Sequence, residues 1–343
     1  MVRAAQIGLA ADLSQLGAPA ASAHSLVQHA QKHGMPTDGA RARLAQMLYG
    51  VSQGIISRHD ALTIVQEQPE YMRLQVGVVY EDEHIACLDK PCDVRLSLPT
   101  GGAAWSGEPW AGSVSGEPCP EVTLRDWLLE HVPAVATDDG SEVRLCHQLD
   151  YATSGLIVAA KSHEAARAVS GAFERREADK LYAAIVFGHP EWQQRIVTAP
   201  IVVSGRRFKQ RVGKSGKSAR TTVEVACRGV LTLPPHRGRA ATLVWLRPHT
   251  GRRHQLRLHM AHIGNPIVGD YTYAADKQTY RMFLHAASLR LPLDELHMAE
   301  PLYIEAPLQP AGWANAFAPT ELLRLPEALP DAGSLVAGLL ADG

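Results

Sequence analysis

The first candidate for chemistry is Asp150, which ends the segment HQLD at 147–150 and precedes a turn that contains Thr, Ser and Gly. Backbone and hydroxyl donors in such a turn can keep a carboxylate ionised and aimed in one direction. That arrangement suits a nucleophile. An Asx turn, in which Asp150 only caps the loop through local hydrogen bonds, explains the same residues and stays open at this point.

The second candidate is the segment GRRHQLRLH at 251–259, in which three arginines stand close together. In a strand or in a short helix these cations point in different directions, so some can face phosphate and one can face a carboxylate inside. A basic helix face with no special partner is the alternative. Metal ligation by His254, His259 and His262 is not expected, because their spacing matches no zinc-binding signature.

The distribution of charge indicates a polyanionic partner. Residues 206–257 contain 14 Lys and Arg and one acid, Glu224, although the whole chain has a net charge of −1. The segment therefore carries +13 and the rest of the chain −14. Unbalanced charges at that density repel one another, which favours nucleic acid binding over a merely solvated face.

The elements that must position these residues are many strands and few helices. Two apolar runs at 76–91 predict a strand pair, and EVTLRDWLLEHV at 121–132 predicts a helix. Residues 143–162 predict a strand, a turn and a second strand, and Ser162 can cap a helix at 163–180. Further strands are predicted for five later segments, which are LYAAIVFG, TTVEVACRGV, ATLVWLRP, RMFLHAASLRLP and LYIEAP. Without regular β-α-β alternation, this pattern favours an α+β sheet domain.

The chain divides into three parts, which are a helical N-terminal extension at 1–72, the sheet domain at 73–310 and a C-terminal tail at 311–343. Between 99 and 120, 12 of 22 residues are Gly, Pro or Ser, which predicts a flexible surface insertion. The tryptophans of this insertion, Trp105 and Trp110, can stack on bases, but a loosely packed loop explains them better.

Composition excludes a disordered protein and a transmembrane protein, and it indicates in which cellular compartment the protein lies. With 46% apolar and 20% charged residues the chain is not a disordered tail, and no apolar run reaches the roughly 20 residues that span a bilayer. Five cysteines without a C-x-x-C pair, and no secretory signal, indicate a reducing interior. We expect an intracellular protein of the cytoplasm or nucleus, with the mitochondrion as the alternative.

Five segments resemble motifs of the RluA-type pseudouridine synthases, in the order in which that family has them. HQLDYATSGLIVAAKS resembles the segment H-R-L-D-x-x-T-S-G-L-h-h-h-A-K, and KLYAAIVFGHP resembles K-x-Y-x-A-h-h-x-G-H. PHTGRRHQLRLHMAHIGNPIVGDYTY is similar to T-G-R-x-H-Q-I-R-V-H-x-x-x-x-G-x-P-h-x-G-D-x-x-Y. VVYEDEHIACLDKP and FLHAASLRLP are similar to the opening and closing motifs, so the resemblance spans about 76–310.

The resemblance implies an RNA pseudouridine synthase, which detaches a uracil, turns it and rejoins it through C5 without a metal or cofactor. Asp150 matches the essential aspartate of the family, and Arg257 matches the arginine that pairs with it. Tyr182 matches the tyrosine that lies against the uracil and is proposed to help remove the C5 proton. Leu256 matches the aliphatic residue packed beside the base. Because a uracil reaches a buried carboxylate only by leaving its stack, base flipping is expected.

Further contacts with substrate follow from the motifs and from the basic segment. The expected substrate-binding residues are His147, Gln148, Leu149, Thr153, Arg252, His254 and Leu256. The expected contacts with the RNA backbone are Arg206, Arg207, Lys209, Arg211, Lys214 and Lys217. The expected partner is tRNA, rRNA or another structured RNA, bound by a monomer without membrane contact. The expected fold is an α+β domain with a mixed, mainly antiparallel sheet, flanking helices and an N-terminal helical extension.

The sequence departs from the family pattern in two places. Gln148 stands where the family usually has Arg, a variant that we associate with a eukaryotic branch; Gln donates hydrogen bonds to bases but brings no charge into the space left by the flipped base. After Lys90 and Pro91, whose motif mainly supports the sheet, Cys92 and Asp93 replace the usual Gly. An RNA-binding protein or chaperone that keeps the fold without turnover is the alternative function, and the intact catalytic set argues against it.

Overall fold

The computed structural model describes residues 76–322 apart from 93, 98–122, 141, 203–208, 234–235, 277–278, 280, 299, 307, 309–312 and 314–315. The predicted N-terminal extension, the predicted insertion at 99–120 and most of the predicted tail lie outside the described residues. So do Arg206 and Arg207. Among the described helices, none has the length and apolar character needed to cross a membrane.

The described elements are strands with a few short helices. The strands are β1 (Gly77–Glu81), β2 (Ile85–Lys90), β3 (Ser154–Ala160), β4 (Asp179–Phe187), β5 (Gln194–Val197), β6 (Ile201–Val202), β7 (Arg211–Val212), β8 (Thr221–Leu231), β9 (Ala240–Pro248), β10 (Leu284–Leu291), β11 (Leu302–Glu305) and β12 (Phe317–Leu322). The α-helices are α1 (Leu124–His131), α2 (His163–Arg175) and α3 (Gln255–His262). Short 3₁₀ helices span Pro133–Val135 and Asp294–Leu296.

Ten of the strands form one sheet with the order β1-β2-β3-β10-β4-β9-β8-β12, in which β11 pairs with β10 and β5 with β8. Its strand pairs are antiparallel except β3 with β10, which are parallel. The strands β6 and β7 form a separate antiparallel hairpin. The prediction of an α+β domain with a mixed, mainly antiparallel sheet is therefore confirmed.

The local sequence explains the helix that covers this sheet beside β3. α2 begins after Ser162, whose hydroxyl accepts the N–H of Ala165 at 3.1 Å, as the sequence predicts. Ala165 and Val169 form part of its buried face, and Phe173 packs partly buried against the same core. α2 ends at Arg175, short of the predicted end at 180, because the φ of 63° at Arg176 lies in the left-handed region that stops a helix.

The structure corrects the prediction of a first strand at the start of 143–162. There, Val143 and Leu145 form only isolated bridges, with Ala136 and Ala159. The apolar run is too short to form a ladder, and the chain continues as the irregular segment that carries Asp150. The segment around 254–262, which the sequence left as strand or helix, is the helix α3.

The sheet also extends past the predicted boundary at residue 310. β12 pairs with β8, so the predicted tail contains one strand of the same domain. Pro319 makes this strand hard to predict from sequence, because proline is tolerated in a sheet only at its edges or at bulges. β12 is such an edge, and its register shifts between Pro319 and Glu321.

Among the described residues, the two larger apolar clusters meet at β4. In one cluster α1 and α2 pack against β2 and β3, and in the other α3 packs against β4, β8 and β9. Tyr182 on β4 is partly buried and contacts both clusters. A cleft at this meeting point can therefore collect side chains from the loop before β3, from β4 and from α3.

Candidate active site

Asp150 lies in the loop that enters β3. The turn is closed by the backbone, since Thr153 N donates to the carbonyl of Asp150 at 3.1 Å. The carboxylate instead accepts a hydrogen bond from Arg257 Nη1 on α3, at 3.2 Å from Oδ2. With 26% of its side chain exposed, Asp150 is held from inside and open to solvent on one side.

Lys90 ties the end of β2 to this loop. Its buried ammonium donates to the carbonyls of Pro91 at 2.8 Å, Val94 at 3.1 Å and Tyr151 at 3.1 Å. Three carbonyl acceptors satisfy the hydrogen-bonding capacity of an ammonium that has left water. Lys90 therefore fixes the backbone of the residue next to Asp150.

Gln255 fixes the start of α3, and with it the direction of Arg257. Its side-chain oxygen accepts from Thr250 Oγ1 at 2.6 Å and from Arg252 N at 3.1 Å. Its side-chain nitrogen donates to Arg220 O and to Thr221 Oγ1, both at 2.9 Å. A fully bonded, buried amide of this kind specifies one position for the helix.

Arg257 joins two carboxylates in the interior. Its Nε and Nη2 donate to Asp270 Oδ2 and Oδ1, each at 2.9 Å, while Nη1 reaches Asp150. The side chains of Arg257 and Asp270 are 6% and 1% exposed. Burial works against the charge on Arg257, but the carboxylates of Asp270 and Asp150 outweigh it and raise the pKa of the guanidinium. Arg257 is therefore permanently charged.

His254 is the second nitrogen-bearing side chain close to Asp150, at a distance longer than a hydrogen bond. Its Nε2 lies 3.8 Å from Asp150 Oδ1, and its Nδ1 lies 2.8 Å from the hydroxyl of Tyr273. The residue precedes α3 with a φ of 56°, in the left-handed region. Burial lowers the pKa of His254 to about 4, against the opposite effect of the Asp150 carboxylate. The imidazole is therefore neutral at physiological pH.

Tyr182 approaches the same cleft from β4, where it pairs with Leu246 of β9 and Ala286 of β10. Burial raises the pKa of its phenol, and the charge of Asp150 adds to the rise. At neutral pH Tyr182 is therefore an uncharged phenol and not a phenolate.

A cleft of about 910 Å³ brings these side chains together. It is lined by Asp150, Tyr182 and Arg257 and by every residue predicted to bind substrate, which are His147, Gln148, Leu149, Thr153, Arg252, His254 and Leu256. Gln148 is exposed at this cleft. His147 is bound to the sheet, because its Nε2 accepts the N–H of Val158 at 3.1 Å, and burial lowers its pKa to about 4.

Of the predicted backbone-binding residues, the four that the structure describes lie outside the lining of this cleft. Lys209, Arg211, Lys214 and Lys217 are exposed on and around the β6-β7 hairpin. That hairpin packs beside α3 through a small apolar cluster that contains Leu258. The basic residues are therefore neighbours of the site and not part of its interior.

The basic segment is less unbalanced than its count of charges indicates. Arg228 pairs with Glu321 at 3.0 Å, and Arg247 pairs with Asp179. Both acids lie outside residues 206–257, so a charge count along the sequence misses them. Strand pairing brings them to the arginines, because β12 and β4 flank β8 and β9.

Sequence reasoning gave no role to Asp270 and Tyr273. Both belong to the G-D-x-x-Y end of the third motif, and this was the signal available. A buried arginine that serves one half-exposed carboxylate needs a second anion to stabilise it, and Asp270 is that anion. Among the described residues no group of three or more His, Cys, Asp or Glu is arranged to hold a metal ion.

Several known proteins are similar to this chain in sequence and in fold. A family model described as RNA pseudouridylate synthase matches residues 84–262. The chain is 31% identical over 238 residues to the dual-specificity RNA pseudouridine synthase RluA of Vibrio parahaemolyticus, covering 68% of this chain and 84% of that protein. It is 36% identical over 244 residues to RNA pseudouridylate synthase domain-containing protein 1 of Danio rerio, covering 68% and 74%. The solved structure of human RNA pseudouridylate synthase domain containing 1 is similar with a TM-score of 0.57 and 27% identity, over 78% of this chain and 95% of that chain.

Proposed function

Because the chain belongs to the RluA-type RNA pseudouridine synthase family, and so is an isomerase that acts on RNA, we propose that Asp150 is its nucleophile. The observation that supports this role is the 3.2 Å hydrogen bond from Arg257 to Asp150 within the cleft. A buried guanidinium fixes the direction of the carboxylate, and the exposed part of Asp150 is left to meet a nucleotide.

The reaction is an isomerisation in which atoms balance without an added reactant. The bond from C1′ to N1 breaks, the uracil turns, and a bond from C1′ to C5 forms; C5 loses a proton and N1 gains one. A single fixed carboxylate assists the first step by adding to C1′ or by removing a neighbouring proton. Arg257 keeps Asp150 ionised and in place for either step.

We assign Tyr182 to the proton at C5. Because the pKa of Tyr182 is raised, its phenol can accept that proton only while it passes its own hydroxyl proton to another base, for which the carboxylate of Asp150 is available once it has left the sugar. Its ring also offers an apolar surface for the uracil, and Leu256 lines the same cleft. These positions enclose a base that has left its stack.

The proposed substrates are tRNA, rRNA or another structured RNA. The exposed cations beside α3, Lys209, Arg211, Lys214 and Lys217, support contact with the phosphates that flank the target. Gln148, exposed at the cleft, is suited to donate hydrogen bonds to the bases around the vacated position.

Asp150→Asn tests the proposed role of Asp150, since the amide keeps the size of the side chain but is not a nucleophile. The purified variant should bind the same RNA and leave the target uridine unchanged in chemical pseudouridine mapping. The matched control is Asp82→Asn in the turn between β1 and β2, where the carboxylate only accepts the N–H groups of His84 and Ile85 and the Tyr80 hydroxyl. Modification by the Asp150 variant at the rate of the control would overturn the proposal.

A further inference from the structure

Arg257 and His254, whose nitrogens face the Asp150 carboxylate, both depend on one turn. Asp270 and Tyr273 stand at the ends of a short turn that precedes residue 276, and neither lines the cleft. One holds Arg257 and the other holds His254. Since neither residue lines the cleft, we expect their effect on the reaction to pass through Arg257 and His254, which do line it.

The first link is the division of the donors of Arg257. Its Nε and Nη2 are both bonded to Asp270, at 2.9 Å each, which leaves Nη1 for Asp150 at 3.2 Å. The bidentate side of the fork thus goes to the buried carboxylate, and Asp150 receives one hydrogen bond. With both carboxylates ionised, the three groups together carry one negative charge. Asp150 is therefore held in place by Arg257, but its negative charge is not fully neutralised, because Arg257 is shared with Asp270.

The second link is the tautomer of His254. Its Nε2 faces the carboxylate of Asp150, which is only an acceptor, so we assign the proton of the neutral ring to Nε2. Nδ1 then accepts, and the hydroxyl of Tyr273 must be its donor at 2.8 Å. The Tyr273 oxygen in turn accepts the N–H of Gln210 at 3.0 Å, which fixes the phenol in place.

The turn itself is rigid. Asp270 Oδ1 accepts the N–H groups of Thr272 at 2.9 Å and Tyr273 at 3.0 Å, in addition to its bond with Arg257. Gly269, before it, has a φ of 77°, and an added Cβ would lie 1.8 Å from the carbonyl oxygen of Arg281. Only glycine fits there, just before Asp270, because any other side chain would overlap the backbone of Arg281.

We propose that the Asp270–Tyr273 turn is a positioning unit for the nucleophile, in which Asp270 sets the single hydrogen bond from Arg257 to Asp150 and Tyr273 sets the proton-bearing nitrogen of His254. The inference rests on the proposed role of Asp150. It predicts that Asp270 and Tyr273 affect turnover without affecting the affinity for RNA.

A double-mutant cycle tests the role of Asp270, using wild type, Asp270→Asn, Arg257→Met and the double variant on one RNA. Asp270→Asn should lower kcat by roughly 10- to 100-fold, as loss of an outer partner of a catalytic group does, with Kd for RNA unchanged. Because Asp270 acts through Arg257, the double variant should be no slower than Arg257→Met alone. If the two effects multiply, or if Asp270→Asn has the kcat of wild type, the role of Asp270 is refuted.

The control for the loss of a bonded carboxylate is Asp126→Asn. Asp126 is a partly buried carboxylate at the start of α1, where it accepts from Thr123 N at 3.0 Å and from Arg125 Nη1 at 2.9 Å, and it touches neither the turn nor Arg257. This variant should lose stability and keep kcat. Melting curves of all variants show which of them are folded at the assay temperature, so that rates are compared only among folded proteins.

The role of Tyr273 has a spectroscopic test that does not need activity. Nitrogen NMR of the histidine rings should show His254 protonated on Nε2 in wild type and a mixture of tautomers in Tyr273→Phe. A wild-type His254 that carries its proton on Nδ1 would refute this part of the proposal. Asp150→Asn assayed in parallel separates the two failures: an active Asp150 variant overturns the proposed function, whereas an inactive one with a multiplicative cycle overturns only the positioning unit.

Discussion

Cations within the basic segment 206–257 differ in burial and in partners. Arg257 is buried and bonded to two carboxylates, whereas Arg211, Lys214 and Lys217 are exposed on and after the β6-β7 hairpin. A buried charge needs fixed partners and so determines geometry, while an exposed charge is screened and contributes to affinity for a polyanion. The same residue types therefore serve chemistry in one place and binding in the other.

Among substitutions that leave Asp150 in place, the largest expected effect comes from changing the buried cation without removing its charge. Lysine has no planar guanidinium that can donate to Asp270 and Asp150 at the same time. We therefore expect Arg257→Lys to lower kcat by roughly 10²- to 10³-fold. The matched control is Arg228→Lys, in an arginine that pairs with the half-exposed Glu321. Steady-state rates on one RNA compare the two, and equal rates would show that the geometry of Arg257 is unimportant.

A smaller loss is expected for Tyr182→Phe, which removes only a hydroxyl. If that hydroxyl relays the C5 proton, kcat should fall by about 10²-fold with Kd for RNA unchanged, because the ring remains. Tyr80→Phe, whose hydroxyl bonds to Asp82 at 2.8 Å in a remote turn, is the control. A Tyr182 variant with wild-type turnover would limit Tyr182 to packing.

The exposed cations should give the opposite pattern. Lys214→Gln with Lys217→Gln should reduce the slope of log binding constant against log salt by about 1 for each phosphate that is no longer neutralised, with kcat unchanged at saturating RNA. Lys161→Gln removes a cation that pairs with Glu81 at 2.8 Å and serves as the control. Binding titrations at several salt concentrations measure the slope; an unchanged slope would show that these lysines do not contact RNA.

The smallest effect concerns stability and pH. Burial lowers the pKa values of His147, His254 and His285 to about 4, below the ordinary value of 6.5. Below pH 6.5 the unfolded chain binds protons that the folded chain does not, so stability is present above that pH and is lost as the pH falls towards 4. Each histidine should contribute a slope of up to roughly 1.4 kcal/mol per pH unit in that window.

Urea unfolding at pH 7.5, 6.5 and 5.5 measures this dependence. His285→Asn should reduce the slope, because His285 is buried and bonded to Ser154 and to the carbonyl of Ala306. A free energy of unfolding that is the same at all three pH values would contradict the buried neutral state of these rings.

Much of the fold is readable from local pattern. The β1-β2 pair and the helices α1 and α2 follow from apolar periodicity and from capping residues such as Ser162, which act over a few positions. The first strand predicted within 143–162 and the predicted domain boundary at 310 differ from the structure, because both depend on contacts that the local pattern does not show. In the first case a short apolar run finds no full ladder, and in the second tertiary pairing overrides the proline in β12.

The site is only partly readable, because its contacts join distant parts of the chain. Asp150 and Arg257 are separated by 107 positions, and only the resemblance to a family suggested that they meet. Apart from its place in the G-D-x-x-Y pattern, nothing local marks Asp270 as the second anion, since its role depends on the orientation of Arg257 on α3. Likewise Glu321 and Asp179 reach the basic segment through the sheet and not through sequence proximity.

The most direct measurement compares kcat and Kd for Asp150→Asn and for the Lys214 and Lys217 double variant, on one RNA and in one assay. The division between buried and exposed charge predicts that the Asp150 variant binds with wild-type affinity and forms no pseudouridine, while the lysine variant binds more weakly and turns over normally when saturated. Pseudouridine formed by the Asp150 variant at the wild-type rate would contradict it.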